Sequence, residues 1–210
     1  MSSRIPFAYT ALLGVLALSI AVPASARSKI RLRDGGASDD TIVIDETSNP
    51  PKITASAGVA VSGPPGSLRD LGGGQYEILV PGQDVTYHLK TRGGEDSVTV
   101  IDGPGSSTYW LGVGSEGDSV VVYDGPGNDR YKVEGKGGDD VYLISDDSGT
   151  GEDYYYVKGA RGADQIDITD GEGNDFYKVK ARSEASLAYN DAVTGDVDVM
   201  KLKGVSLPLP

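Results

Sequence analysis

The chain has 210 residues, with 30 Gly, no Cys, and 31 acidic residues against 19 Lys plus Arg, for a net charge of −12. The acids divide into 23 Asp and 8 Glu, which argues against an all-helical fold, because Asp and Gly are the residues that bend chains and tolerate left-handed backbone. The negative balance and the lack of a basic run in the sequence argue against a nucleic-acid partner.

Residues 1–26 read as an export signal. Arg4 supplies the positive start, residues 11–22 an apolar stretch too short to span a bilayer, and Ala24-Ser25-Ala26 a small-residue cleavage pattern. A mature chain beginning at Arg27 is expected to be secreted, periplasmic or held at the cell surface. No second long apolar run follows, so membrane insertion of the mature chain is not expected. An exported chain without Cys must draw its stability from something other than disulfides.

Residues 27–83 are expected to form an N-terminal cap and irregular first coils. Asp40-Thr-Ile-Val-Ile has the form of the later repeats, whereas residues 46–74, with Pro50-Pro51 and Gly63-Pro64-Pro65-Gly66, are the least regular part. Residues 84–182 carry the regular array. Anchors at Asp96, Ser107, Asp118, Asp129, Asp140, Asp153, Asp164 and Asp175 recur at spacings of 11, 11, 11, 11, 13, 11 and 11. Two and four residues after each anchor stands an apolar residue or Tyr, the period-two signature of a strand with one buried face. Two kinds of Gly-rich turn alternate between the strands, so the repeat is about 22 residues with two strands per coil. Constant turn length and recurrence of like residues favour an all-β, two-sheeted parallel β-roll or β-helix over an antiparallel sandwich. Residues 183–210 complete the array as a C-terminal coil and cap, with Leu187-Ala-Tyr and Val197-Asp-Val near the next expected strand positions.

At Gly127-Asn-Asp-Arg-Tyr, Gly173-Asn-Asp-Phe-Tyr and Gly138-Asp-Asp-Val-Tyr the turns resemble the RTX (repeats-in-toxin) family, whose Gly-Gly-x-Gly-x-Asp nonapeptide folds as a calcium-binding β-roll. The period here is 11 rather than nine. The resemblance covers residues 92–180 and implies Ca2+ at the turns. Electrostatics supply a separate reason to expect a cation. Stacked coils place Asp102, Asp124, Asp146 and Asp170 in one column and Asp129, Asp153 and Asp175 in another. Neighbouring carboxylates about 4.8 Å apart repel by about 1 kcal/mol in water and about 3.5 kcal/mol at an effective dielectric of 20. Asn128 and Asn174 stand beside these columns as further candidate ligands. Asp118, Asp140 and Asp164 form the equivalent candidates on the opposite edge. The competing reading is that the Asp side chains splay outward and cap turn amides.

Tyr109, Tyr131, Tyr155 and Tyr177 are expected to point inward. Trp110, Arg130, Lys132, Tyr154, Tyr156, Phe176 and Lys178 point outward on the same sheet as an aromatic and basic strip. Such a strip suits an extracellular polysaccharide or a cell-surface component, or serves as cross-strand packing. No catalytic constellation is visible: His88 is the one His, and repeated carboxylates carry little information about acid–base roles. The expected role is a non-enzymatic structural, adhesive or ligand-binding one. A carbohydrate-binding or polysaccharide-lyase-type module is the alternative.

Overall fold

The computed structural model describes residues 28–80, 84–146, 150–182, 185–191 and 198–204. The export segment expected over residues 1–26 lies outside them. Every element among the described residues is a strand, and no helix long and apolar enough to cross a membrane is present there.

Strands β1 (Ser28–Arg33) and β2 (Thr41–Asp45) open the first coil. Four short strands follow as an insertion: β3 (Lys52–Ala55), β4 (Ala60–Ser62), β5 (Leu68–Gly72) and β6 (Gln75–Ile78). Five further coils are built from β7 (Val85–Lys90) with β8 (Ser97–Ile101), β9 (Thr108–Gly112) with β10 (Ser119–Tyr123), β11 (Arg130–Glu134) with β12 (Val141–Ser145), β13 (Tyr154–Lys158) with β14 (Gln165–Asp170), and β15 (Phe176–Lys180) with β16 (Ser186–Asp191). The last strand is β17 (Val199–Lys203).

The odd-numbered strands from β7 to β17 stack in parallel on β1, and the even-numbered strands from β8 to β16 stack on β2. The fold is therefore a two-sheeted parallel β-solenoid, as the 22-residue recurrence requires. Register is unslipped along the stack: Tyr87, Tyr109, Tyr131, Tyr155 and Tyr177 oppose one another in turn. The longer 13-residue spacing between Asp140 and Asp153 does not shift the register, since β11 and β13 still pair residue for residue.

The irregular segment after residue 46 is more ordered than a loop. Its strands pair antiparallel: β4 adds to β1, and β3, β6 and β5 extend the other sheet beyond β2. This closes the N-terminal edge of both sheets, where exposed ladder groups would otherwise invite pairing with another chain. At the other end, β17 begins at Val199 rather than Val197, and Val199 pairs with Phe176. Asp198 thereby takes the anchor position of the last coil.

Alternation sorts the side chains. The inward positions of one sheet are the five stacked tyrosines with Leu89, Leu111, Val133, Val157 and Val179. Those of the other include Val98, Val120, Tyr142 and Ile166, and all are buried. Each fully buried aliphatic contributes about 1.5–3 kcal/mol, and the tyrosine rings stack at centroid distances of 5.0, 4.9, 5.2 and 4.8 Å.

The turns stack as closely as the strands. A Cβ built on Gly127 would run into the carbonyl of Gly105 one coil back and into the Asp129 carboxylate, and one on Gly151 would strike the Gly127 carbonyl. Glycine recurs here because the neighbouring backbone occupies the space of a side chain. Gly127→Ala is expected to destabilise the protein by about 1–3 kcal/mol through overpacking, read from the urea midpoint. An unchanged midpoint would show that the turns pack loosely enough to admit the methyl group.

Candidate metal centre

The residue after each strand of the even sheet is acidic: Glu46 follows β2, Asp102 follows β8, Asp124 follows β10 and Asp146 follows β12, while Asp170 closes β14. Parallel register places them in one column, and a second column precedes the odd strands at Asp129, Asp153 and Asp175. Both columns turn inward. Asp102 and Asp124 are 4% exposed, Asp146 and Asp170 0%, and Asp129, Asp153 and Asp175 at most 3%. The side chains do not splay into solvent. They interleave as three groups whose carboxylate oxygens lie within 4.8 Å of one another: Asp102–Asp124–Asp129, Asp124–Asp146–Asp153 and Asp146–Asp170–Asp175.

One oxygen of each second-column carboxylate has a structural partner. The Ser107 amide donates to Asp129 Oδ1 (2.5 Å), the Asp129 amide to Asp153 Oδ1 (2.5 Å), the Asp153 amide to Asp175 Oδ1 (2.6 Å) and the Asp175 amide to Asp198 Oδ1 (2.9 Å). The other oxygen of Asp129, Asp153 and Asp175, with Asp146 Oδ1, is buried and has no hydrogen-bond donor. An unpartnered buried carboxylate oxygen is costly. Each of the three groups contains at least one, so each is chemically suited to a metal ion.

The first column meets the tyrosine ladder. The Tyr109 hydroxyl lies 2.9 Å from Glu46 Oε2 and 2.6 Å from Asp102 Oδ1, and that of Tyr131 lies 2.6 Å from Asp102 Oδ2 and 2.5 Å from Asp124 Oδ1. The Tyr155 hydroxyl bridges Asp124 and Asp146 in the same way, and that of Tyr189 bridges Asp170 and Asp198. A phenol has one proton to donate. It can serve one of its two carboxylates, so the second close contact requires a proton on the carboxyl or a cation beside it.

Burial, reinforced by neighbouring carboxylates, acts in the same direction on acidity. It raises Asp124 to about 6, Asp153 to about 7, and Asp129 and Asp146 to about 9. Glu46 is raised to about 7 by desolvation and by Asp102. Without a cation these groups hold protons well above the ordinary carboxylate range.

Asp118, Asp140 and Asp164, on the opposite edge, are equally buried but join none of the three groups among the described residues. The reason is the column that faces them. After the odd strands stand Asp34, Thr91, Val113, Gly135, Gly159 and Ala181, so beyond the first coil no second carboxylate is present. Here each anchor ties one coil to the last, the Asp96 amide donating to Asp118 Oδ1 (2.8 Å), the Asp118 amide to Asp140 Oδ1 (3.0 Å) and the Asp140 amide to Asp164 Oδ1 (3.2 Å), and Asp118 Oδ2 and Asp164 Oδ2 are likewise buried without a donor. Asn128 and Asn174 are exposed at the turns, and the Asn128 amide oxygen accepts the Glu152 amide at 3.3 Å.

Glu46, Asp198 and the tyrosine hydroxyls belong to the constellation although motif reading did not single them out. Glu46 had a signal, since it follows a five-residue strand just as Asp102 does. Its coil is the exception to the triad pattern, because Ser107 stands where the later coils have Asp129, Asp153 and Asp175, and donates to Glu46 Oε2 at 3.2 Å.

The aromatic and basic strip is displayed on the outer face of the odd sheet, and its rings are engaged with one another. Trp110 stacks on His88 at 5.1 Å and carries Lys132 over its ring at 4.8 Å. Tyr154 lies between Arg130 (4.9 Å) and Phe176 (5.1 Å), and Tyr156 has both Lys132 and Lys178 over it. His88 is part-buried, and burial together with Lys29, Arg31 and Lys90 lowers its pKa.

Comparison with protein families, curated proteins and solved structures finds no match to this chain. What the fold and site define is a class: a parallel β-solenoid whose core holds buried carboxylate groups competent for a metal ion.

The pH dependence of the cation-free protein follows from the raised acidities. A carboxyl held more tightly protonated in the folded chain than in the unfolded chain stabilises the fold at low pH, and that contribution fades as pH rises through its folded pKa. In chelator, the melting temperature is expected to fall between pH 5 and pH 9, the window set by Asp124, Asp153, Asp129 and Asp146. Differential scanning calorimetry across that range checks it, and a rising or flat midpoint would contradict the arrangement of charges.

Proposed function

We propose that this protein is an exported, calcium-loaded β-solenoid with a non-enzymatic structural or binding role outside the cytoplasm. The observation that carries the reading is the set of three buried carboxylate groups, each with oxygens within 4.8 Å of one another and each with an oxygen lacking any donor. All candidate ligands are oxygens. Zinc and copper favour His and Cys, and magnesium retains several waters, for which a column of carboxylates and tyrosines leaves little room. Calcium takes oxygen ligands at about 2.3–2.6 Å in flexible geometry, so two ligands on opposite sides of one ion stand about 4.6–5.2 Å apart. Three dications would nearly neutralise the seven carboxylates of the three groups. The RTX-like turns support the same ion, as does an export signal read from residues 1–26, since exported chains meet far more calcium than the cytoplasm offers.

Such a protein would fold by linkage. In low calcium the charged columns oppose stacking of the coils, and outside the cell bound calcium stabilises the folded state by mass action.

Three measurements test this. Calcium is expected to raise the melting temperature of chelator-stripped protein at pH 8, with magnesium at the same concentration raising it much less, and native mass spectrometry is expected to count bound calcium. Asp146→Asn, at one of the two residues shared between groups, is expected to lower stability in calcium while leaving the stripped protein as stable as its parent. Equal losses in both conditions would make Asp146 a structural residue only and overturn the reading.

A further inference from the structure

Stacking segregates charge in a way that the linear sequence hides. Eleven of the 19 Lys and Arg stand at outward positions of the odd sheet, on β1, β7, β11, β13, β15 and β17. Glu134 is the one acid among the described outward positions of these strands, and it is already engaged by Lys132 (3.3 Å) and Lys158 (3.9 Å). A protein of net charge −12 thus presents one strongly cationic face. Register arranges the cations in files along the solenoid axis: Lys158, Lys180 and Lys203 follow one another on successive coils, one charge about every 4.8 Å.

The face is narrow and bordered. Strands of five residues make it about 17 Å wide. Exposed acids stand in the turns on both flanks, at Glu152 and Glu172 on one side and at Glu116 and Asp139 on the other. Within it runs a shallow trough of about 340 Å³ between Trp110, Arg130, Lys132, Tyr154, Tyr156 and Lys178, with Glu134, already paired with lysines, as its one acid. A planar anionic surface or a nucleic-acid duplex would press its phosphates against the acidic flanks. Single-stranded nucleic acid binds by stacking bases on free ring faces, and the rings of Trp110, Tyr154 and Tyr156 already have neighbours over them. What the face offers is a line of cations and ring edges suited to a thin, hydroxyl-rich chain that bears a negative charge on each unit or two.

We propose that the outer face of the odd sheet is a binding site for a linear acidic polysaccharide, which lies along the solenoid axis and pairs its carboxylate or sulfate groups with the files of Lys and Arg. The aromatic residues act in this site by holding the cations in place: Lys132 over Trp110 and Lys178 over Tyr156 are pinned by the ring quadrupole. The face is distinct from the carboxylate columns in the core and does not depend on which cation they hold.

The test is calorimetric titration of the full chain, in calcium buffer, with short oligogalacturonates and with sulfated heparin oligosaccharides. The two arms distinguish carboxylate from sulfate as the anion, and a neutral cellulose oligosaccharide, phosphatidylglycerol vesicles and single-stranded DNA serve as comparisons. At least one acidic glycan is expected to bind, with affinity that falls as salt rises. The double variant Lys158→Gln/Lys203→Gln, at exposed positions, is expected to weaken it about tenfold. The charge-matched control Lys52→Gln/Arg69→Gln, on β3 and β5 of the other sheet, is expected to leave it unchanged. Circular dichroism confirms that both variants fold. Should the first variant fail to fold, Lys180→Gln replaces it in the same file. Failure of every acidic glycan to bind at low salt, equal weakening by the control, or tighter binding of vesicles or DNA would overturn the proposal.

Discussion

The structure turns on a conflict between stacking and charge. A parallel solenoid gains stability by repeating the same residue on successive coils, because identical strands then pair in register and identical side chains pack without gaps. The same repetition brings every Asp beside its copies at about the strand spacing, in a core where the dielectric no longer screens them. Asp102, Asp124 and Asp146 cannot all be ionised in such a column unless something positive lies among them. Their hydrogen-bonding tyrosines lessen the difficulty without removing it, since one phenol proton is shared between two carboxylates.

This conflict also explains why the two edges of the solenoid differ. Both edges carry a column of anchoring Asp, and in both the anchor carboxylate accepts an amide from the preceding coil, joining one coil to the next. Only on one edge does a second column face the first. There Glu46, Asp102, Asp124, Asp146 and Asp170 oppose Ser107, Asp129, Asp153 and Asp175. On the other edge Thr91, Val113, Gly135, Gly159 and Ala181 hold the equivalent places, and the anchors there are spared a second line of charge. An Asp at a strand start is thus a structural device, and a pair of Asp columns is a chemical one.

The exterior obeys the same rule of repetition with the opposite sign. Cations recur on the outer face of the odd sheet, where water and ring faces moderate their repulsion, while most of the acids occupy the core and the turns. A solenoid is well suited to this separation, because each strand has one face in the core and one in solvent, and register keeps every position on its own side.

Much of this was legible in the chain. The 11-residue anchor spacing, the alternation after each anchor and the two kinds of turn determine a parallel two-sheeted coil, the inward tyrosines and the two Asp columns, because strand periodicity and constant turn length leave few other ways to bury the apolar positions. A cap over residues 27–83 was legible, but the antiparallel pairing of its strands between residues 52 and 78 was not, since short strands interrupted by Pro and Gly carry no periodic signal. Asp198 was assigned its anchor place only by the pairing of Val199 with Phe176. Only the tertiary structure decided that the carboxylates point inward rather than splaying into solvent, that the phenol of each ladder tyrosine reaches the acid column, and that Lys and Arg of β1, β7 and β17 join the expected basic strip on one face. Each of these depends on which residues of different coils become neighbours, and stacking sets that distance while separation along the chain does not.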